Sequence, residues 1–174
     1  MQDWLAAALD LLIREGVGQV KISRLCEELR VTKGSFYWHF EDINALMNAL
    51  ADHWKTTQVE ALRGLADIEN IPADQRLEQM AGMLVERNWS VEAAIREWAL
   101  RNDEVAKSVR ELDRRIFDLV REALIELNLR EEDARLRAGL LVYAGIGFIH
   151  GHASLPTPTS DDIRALFAIL VDGR

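Results

Sequence analysis

The sequence predicts an all-α fold, and three observations carry that expectation. Apolar residues recur at helical spacing along most of the chain. No segment sustains the period-2 alternation of a half-buried strand. Helix breakers are scarce, with 3 prolines (Pro72, Pro156, Pro158) and 10 glycines in 174 residues.

The elements follow in order. Leu5, Ala8, Leu9, Leu12 and Ile13 mark a first helix, about Asp3 to Glu15, which Gly16 and Gly18 end. Ile22, Leu25, Cys26 and Leu29 form one face of a short second helix, Ile22 to Leu29. Arg30, Val31 and Thr32 interrupt. Thr32 is placed to cap a very short third helix, Lys33 to His39. Asp42 caps a fourth, which carries Leu46, Met47, Leu50 and Trp54 and reaches about Leu65. Pro72 opens a fifth with Leu77, Met80, Met83, Leu84 and Trp89. Ser90 is a candidate cap for a sixth containing Ile95, Trp98 and Leu100. Asn102, with Asp103 and Glu104 after it, starts a long seventh helix to about Leu127, acidic residues suiting a helix start. Its arginines and glutamates, from Arg110 to Glu122, read as a solvated face with i,i+4 pairs. The eighth spans about Glu131 to Gly151, and Ser160-Asp161-Asp162 opens the last.

Composition narrows the function classes. Hydrophobic residues make up 49% and charged residues 29%, the balance of a soluble globular domain. The single cysteine, Cys26, excludes an intrachain disulfide and a cysteine zinc cage, and its place on an apolar stripe makes it a buried, inert thiol. The start lacks the basic and apolar runs of a signal peptide. The longest apolar stretch, Ala138 to Ile149, is shorter than the roughly 20 residues a membrane span needs. These features lead to the expectation of a cytoplasmic protein with no membrane partner.

The net charge of −8 argues against a nucleic-acid partner only if it is spread evenly, and it is not. Residues 21–40 hold Lys21, Arg24, Arg30 and Lys33 against Glu27 and Glu28, a net +2, between flanks of net −2 (residues 1–20) and −3 (41–54). This basic island reads ISRLCEELRVTKGSFYWHF from Ile22 to Phe40. Helix, three-residue turn and short helix form a helix-turn-helix. On the second of these helices Phe36 and Phe40 face a core. Lys33, Gly34, Tyr37 and Trp38 are left outside, flanked by Ser35 and His39. An exposed Tyr-Trp pair suits a surface that a partner covers. A DNA major groove offers phosphates to Lys33 and the Tyr37 hydroxyl, and thymine methyls or sugar edges to Trp38. For Trp38 the alternative is packing against its own domain.

RVTKGSFYWHF preceded by RLCEEL resembles the signature of TetR/AcrR-family transcriptional regulators, over about residues 4–54. A looser pattern, WALRNDEVAKSVRELDRR, is similar to the ligand-domain helices of many members. The resemblance implies a three-helix DNA-binding domain at residues 1–45 and a helical effector-binding and dimerisation domain at 46–174. It also implies a homodimer, double-stranded DNA as partner, an unknown small-molecule effector, and repression as the usual outcome. Carried over by position, Thr32, Lys33, Gly34, Ser35, Tyr37, Trp38 and His39 form the recognition element, and Arg24 contacts a phosphate or base edge. Three departures predict weaker, more salt-sensitive DNA binding, or an N-terminus that is incomplete in this sequence. Arg30 stands where a turn glycine is usual, Ile43 replaces a common lysine, and no basic residue precedes the first helix.

Met83, Trp89, Trp98, Phe117, Tyr143 and Phe148 are candidates to line an effector pocket, or plain core; an apolar or aromatic effector suits them. Arg87 and Arg96 either pair an anionic effector or are solvated. His150 and His152, two residues apart, point away from each other on a helix and read as structural rather than metal-binding, so no metal or cofactor is expected. Glycines in a helix interior cost roughly 1 kcal/mol each. Gly139, Gly145, Gly147 and Gly151 in one helix therefore suggest close approach, by a partner helix or a ligand. With Leu166, Phe167 and Leu170 of the last helix they make the expected dimer interface, a four-helix bundle. No phosphate-binding glycine loop, HExxH or Cys-His pattern supports an enzyme. The rival reading is a helical interaction protein with a degenerate DNA-binding domain.

Overall fold

The computed structural model describes residues 1–86, 88–151, 154–156 and 158–172. Among them regular structure is helical throughout: α1 (Gln2–Glu15), a 3-10 turn (Val17–Gln19), α2 (Ile22–Leu29), α3 (Lys33–His39), α4 (Ile43–Asp67), α5 (Ala73–Glu86), α6 (Trp89–Ala99), α7 (Asp103–Glu126), α8 (Glu131–Gly151) and α9 (Ser160–Asp172).

Helix starts are fixed by side chains. Asp42 Oδ1 accepts the Ala45 N–H at 2.8 Å, and Asn102 Oδ1 that of Val105 at 3.0 Å. The sixth helix is capped by Asn88, whose Oδ1 accepts from Val91 N at 3.3 Å, rather than by Ser90, which lies inside the helix. The last helix is opened by Thr159, one residue before the Ser160 start read from the sequence. Asp162 N donates to Thr159 Oγ1 (3.1 Å), while Asp162 Oδ2 accepts from Thr159 N (2.8 Å) and Oγ1 (2.7 Å). This reciprocal box holds the Asp162 carboxyl below its ordinary pKa, chiefly through the backbone hydrogen bond. Thr32 occupies the N-cap position of α3, but its hydroxyl bonds no backbone N–H.

Two helices end in left-handed residues. Arg30 has φ 54 and ψ 44; its N–H donates to Glu27 O (3.2 Å) and that of Val31 to Cys26 O (3.0 Å). Asn128, at φ 68, closes α7 in the same way. Both are Schellman ends, where glycine is the usual residue.

The described residues group into two compact units. The first comprises residues 1–59 and 93–109, the second 60–92 and 110–174. In the first, α1 packs on α2 and α2 on α3. Leu11, Leu12, Leu25, Phe36, Leu46 and Leu50 are fully buried there. Burial of each such side chain contributes about 1.5–3 kcal/mol. Lys55 Nζ bonds Glu104 Oε2 at 2.8 Å, tying α4 to α7.

In the second unit α9 packs on α5 and α8. The core gathers Leu77, Met80, Leu119, Val120, Leu124 and Leu141, with the small residues Ala134 and Ala138 on the inner stripe of α8. Arg76 is buried and forks onto Glu126, with both bonds at 3.1 Å, and donates to Ile71 O. Charge-assisted bonds of this kind offset the desolvation of a buried guanidinium.

Candidate DNA-binding surface

The third helix is only seven residues long and cannot stand alone. Aromatic packing fixes it. Phe36 is fully buried, meets Trp4 of α1 edge-on at 5.3 Å, and lies 5.6 Å from Phe40, ring centre to ring centre. That anchor turns the opposite face outward. Trp38 is 82% exposed and Tyr37 57%, which sets aside packing of Trp38 within its own domain. Thr32, Lys33 and Gly34 are exposed beside them, and Ser35 and His39 are half-buried at the flanks. Trp38 and His39 stand edge to face at 4.9 Å, which orients the indole.

Gly34 has no internal reason to be glycine. A Cβ there would meet only Thr32 Oγ1, at 3.6 Å. A helix glycine that the fold does not demand leaves room for something outside the chain.

The electrostatics are less open than the sequence implies. Arg24 Nη2 binds Glu15 Oε1 at 2.6 Å and Nη1 binds Glu27 Oε2 at 3.1 Å. Arg14 binds Asp10 at 2.8 Å and Glu28 at 2.9 Å. Both guanidinium groups are held more firmly protonated by these bonds, Arg24 chiefly by Glu15 and Arg14 chiefly by Glu28. Arg24, a candidate contact, is thus engaged by carboxylates of α1 and α2. The side chains of Lys33 and Arg30 have no ion pair among the described residues.

The remaining candidates fall in different places. In the second unit Trp89 and Phe148 stack nearly parallel (15°, centroids 6.2 Å), and Trp89 Nε1 donates to Leu84 O at 2.9 Å. Phe117 packs partly buried on the second core, Met83 is at its surface, and Tyr143 is 74% exposed. Trp98 is buried in the first unit. Arg96 is half-buried; Arg87 and His152 lie outside the described residues, and His150 is exposed. Cys26 is buried. Among the described residues no group of three His, Cys, Asp or Glu is placed to hold a metal, and no helix is long and apolar enough to cross a membrane.

The four glycines of α8 separate. A Cβ on Gly145 would touch Leu84 at 3.7 Å, one on Gly139 would reach Phe117 at 4.0 Å, and one on Gly151 would meet Leu155 at 3.2 Å. For Gly147, alone of the four, a Cβ would meet nothing within 4 Å among the described residues. It lies on an open stripe of α8 with Leu136, Leu140 and Tyr143, all more than half exposed. On α9 Phe167 and Leu170 pack against their own core, while Ile169 is exposed. Sequence reasoning missed Leu136, Leu140 and Ile169, because α8 is apolar all round and periodicity cannot tell its two faces apart.

Comparison with known proteins follows the same division. Residues 5–50 match the bacterial regulatory proteins of the tetR family. Over 48 residues the chain is 44% identical to the class A tetracycline repressor protein from transposon 1721 of Escherichia coli; the match covers 28% of this chain and 22% of that protein. The fold likeness extends further. A TetR transcription regulator from Haloarcula marismortui has a TM-score of 0.70 at 16% identity, over 99% of this chain and 96% of its own. A TetR-like regulator from Rhodococcus sp. RHA1 scores 0.71 at 21%, over 99% and 93%. AmtR from Mycobacterium smegmatis scores 0.65 at 24%, over 97% and 84%. The helix-turn-helix at residues 22–39 thus lies inside the segment that matches the tetR family of bacterial regulatory proteins, and the chain as a whole shares its fold with TetR-like regulators.

Proposed function

We propose that the chain is a homodimeric, ligand-responsive repressor of a pseudo-palindromic operator, with residues 1–45 binding DNA and 46–174 binding the effector and dimerising. The observation that carries the DNA half is the outward face of α3, where Trp38 and Tyr37 stand exposed beside Lys33. Lys33 and the Tyr37 hydroxyl take phosphates, Trp38 lies against sugar edges or thymine methyls, and Gly34 lets a phosphate or base edge come close to the backbone. Arg24 joins them once Glu15 and Glu27 give it up.

Dimerisation is supported by the stripe of Leu136, Leu140 and Tyr143 on α8 with Ile169 on α9. Exposed apolar side chains aligned on one helix face suit a partner surface. Gly147, without a neighbour, would allow two α8 helices to approach closely. Two copies then present two α3 helices to half-sites about one helical turn apart. An effector releases the DNA only if it binds better to the arrangement that no longer fits those half-sites.

Selection of bound sequences from a random duplex library at low salt tests this function, with Lys33→Ala/Tyr37→Ala as control. An enriched pseudo-palindrome that the control does not enrich supports it. A folded dimer that enriches nothing refutes it and favours the helical interaction protein, in which the carboxylates around Arg24 and Arg14 leave the face too weakly basic.

A further inference from the structure

The buried stripe of α4 runs through Leu46, Leu50, Trp54 and Gln58, one residue per turn and a little more. Its last two members are polar. Trp54 is 8% exposed and Gln58 4%. The Trp54 indole Nε1 and the Gln58 Oε1 are both buried, and neither has a hydrogen-bond partner among the described residues. Their neighbours on exposed faces of the helix are satisfied: Thr56 and Thr57 bond the carbonyls of Asp52 and His53, and Lys55 bonds Glu104.

Each buried unsatisfied group costs about 1–3 kcal/mol. Two of them one turn apart, on one face, are a standing cost the fold has no use for. Leucine at position 58 would occupy a similar space without that cost, whereas phenylalanine at position 54 would also leave a small void. Such a pair is open to a molecule that completes both bonds.

We propose that Trp54 and Gln58 anchor the effector, and that the effector is a neutral molecule with a hydrogen-bond acceptor for the indole N–H and a hydrogen-bond donor for Gln58 Oε1. This deepens the effector-responsive reading above and rests on it. Side chains at i and i+4 stand about 5–6 Å apart at Cβ, near enough for one small molecule to reach both. Neither anchor carries charge, so the indole N–H takes a carbonyl, hydroxyl or ether oxygen, and Gln58 Oε1 takes a hydroxyl or an amide N–H. A buried carboxylate or ammonium would need a counter-charge that neither residue supplies. Trp54 adds an indole face for an apolar or aromatic body.

The experiment uses the full chain without DNA, so its outcome is independent of operator binding. Tm is measured for the wild type, Gln58→Leu and Trp54→Phe, each alone and with millimolar 4-hydroxyacetophenone or ethylbenzene. The first probe carries an acceptor and a donor on one ring, and the second carries neither. Removing the unsatisfied oxygen in Gln58→Leu should leave Tm unchanged or raise it by about 2–4 °C, whereas Trp54→Phe also opens a small void and is read only through its response to the two probes. The hydroxylated ketone should raise the wild-type Tm more than ethylbenzene does, and both variants should lose that difference. A lower Tm in Gln58→Leu means the Gln58 oxygen is satisfied in the free protein, by a bound water or by the chain itself, and overturns the proposal. A wild type that shows no preference for the hydroxylated ketone overturns it equally.

Discussion

Replacing Arg30 with glycine should stabilise the protein and weaken its grip on DNA. The residue sits at φ 54 and ψ 44, closing α2. A side chain in that region costs about 1–2 kcal/mol, through the clash of Cβ with the following carbonyl. Glycine removes the clash but gains freedom in the unfolded chain, which returns about 0.5–1 kcal/mol. The two hydrogen bonds of the turn are made by backbone N–H groups and survive the change. The Arg30 side chain is exposed and makes no hydrogen bond or ion pair among the described residues. The net gain is therefore about 0.5–1 kcal/mol, a rise in Tm of about 1–4 °C for a chain of this size. The same variant titrated with the selected operator over a series of salt concentrations reads the other role. If the guanidinium holds a phosphate, affinity falls at every sequence and the slope of log K against log salt shrinks by about 0.9. A lower Tm for Arg30→Gly would refute the strain reasoning, because it would mean that the side chain stabilises the turn more than its backbone conformation costs.

Other expectations rest on equally local contacts. Glu27→Gln removes one carboxylate from Arg24 and should tighten operator binding by roughly 2- to 5-fold at low salt, an effect that fades as salt rises. The Asp162 carboxyl titrates below its ordinary pKa, so it favours the folded state above the unfolded value of about 3.9 and loses that effect as pH falls through the folded value. Asp162→Asn should accordingly lower Tm at pH 7, with the gap to wild type closing below about pH 4 in a thermal melt series. Gly145→Ala places a methyl in ordinary contact with Leu84 and should stabilise by up to about 1 kcal/mol, seen in urea unfolding. Leu140→Glu, on the open stripe of α8, should convert a dimer to a monomer in sedimentation while leaving the helical circular dichroism intact.

How far these features could be read in advance differs by region. The helix-turn-helix was legible because each residue type has one strong reason for its place. Phe36 and Phe40 at i and i+4 must go inward, which sends Tyr37 and Trp38 outward, and the structure places them so. Arg30 stood out only because the resemblance puts a turn glycine there, and its left-handed backbone is seen in the structure. The carboxylate grip on Arg24 was not, because Glu15 and Arg24 are nine residues apart and meet only when α1 packs on α2. Caps were legible to within a residue or two. Asn88 and Thr159 stand beside the residues that looked better placed, and the choice depends on backbone geometry that sequence does not carry. The second unit was legible as helices but not as faces. Glycine marked α8 as unusual, yet only packing shows that Gly145 makes room for Leu84 while Gly147 faces outward. Trp54 and Gln58 gave no signal, since a tryptophan and a glutamine on a helix are ordinary until both prove buried without a partner.

The central claim is that the outward face of α3 reads DNA. The most direct measurement is the affinity of the wild type, Lys33→Ala and Trp38→Ala for the selected operator and for a scrambled duplex, each over a range of salt. Lys33→Ala should weaken binding to both duplexes alike and reduce the salt slope by about 1, as expected for a lost phosphate contact. Trp38→Ala should narrow the preference for the operator over the scrambled duplex and leave the salt slope unchanged. Wild-type affinity and preference in both folded variants would contradict the claim and place the DNA-binding surface elsewhere on the molecule.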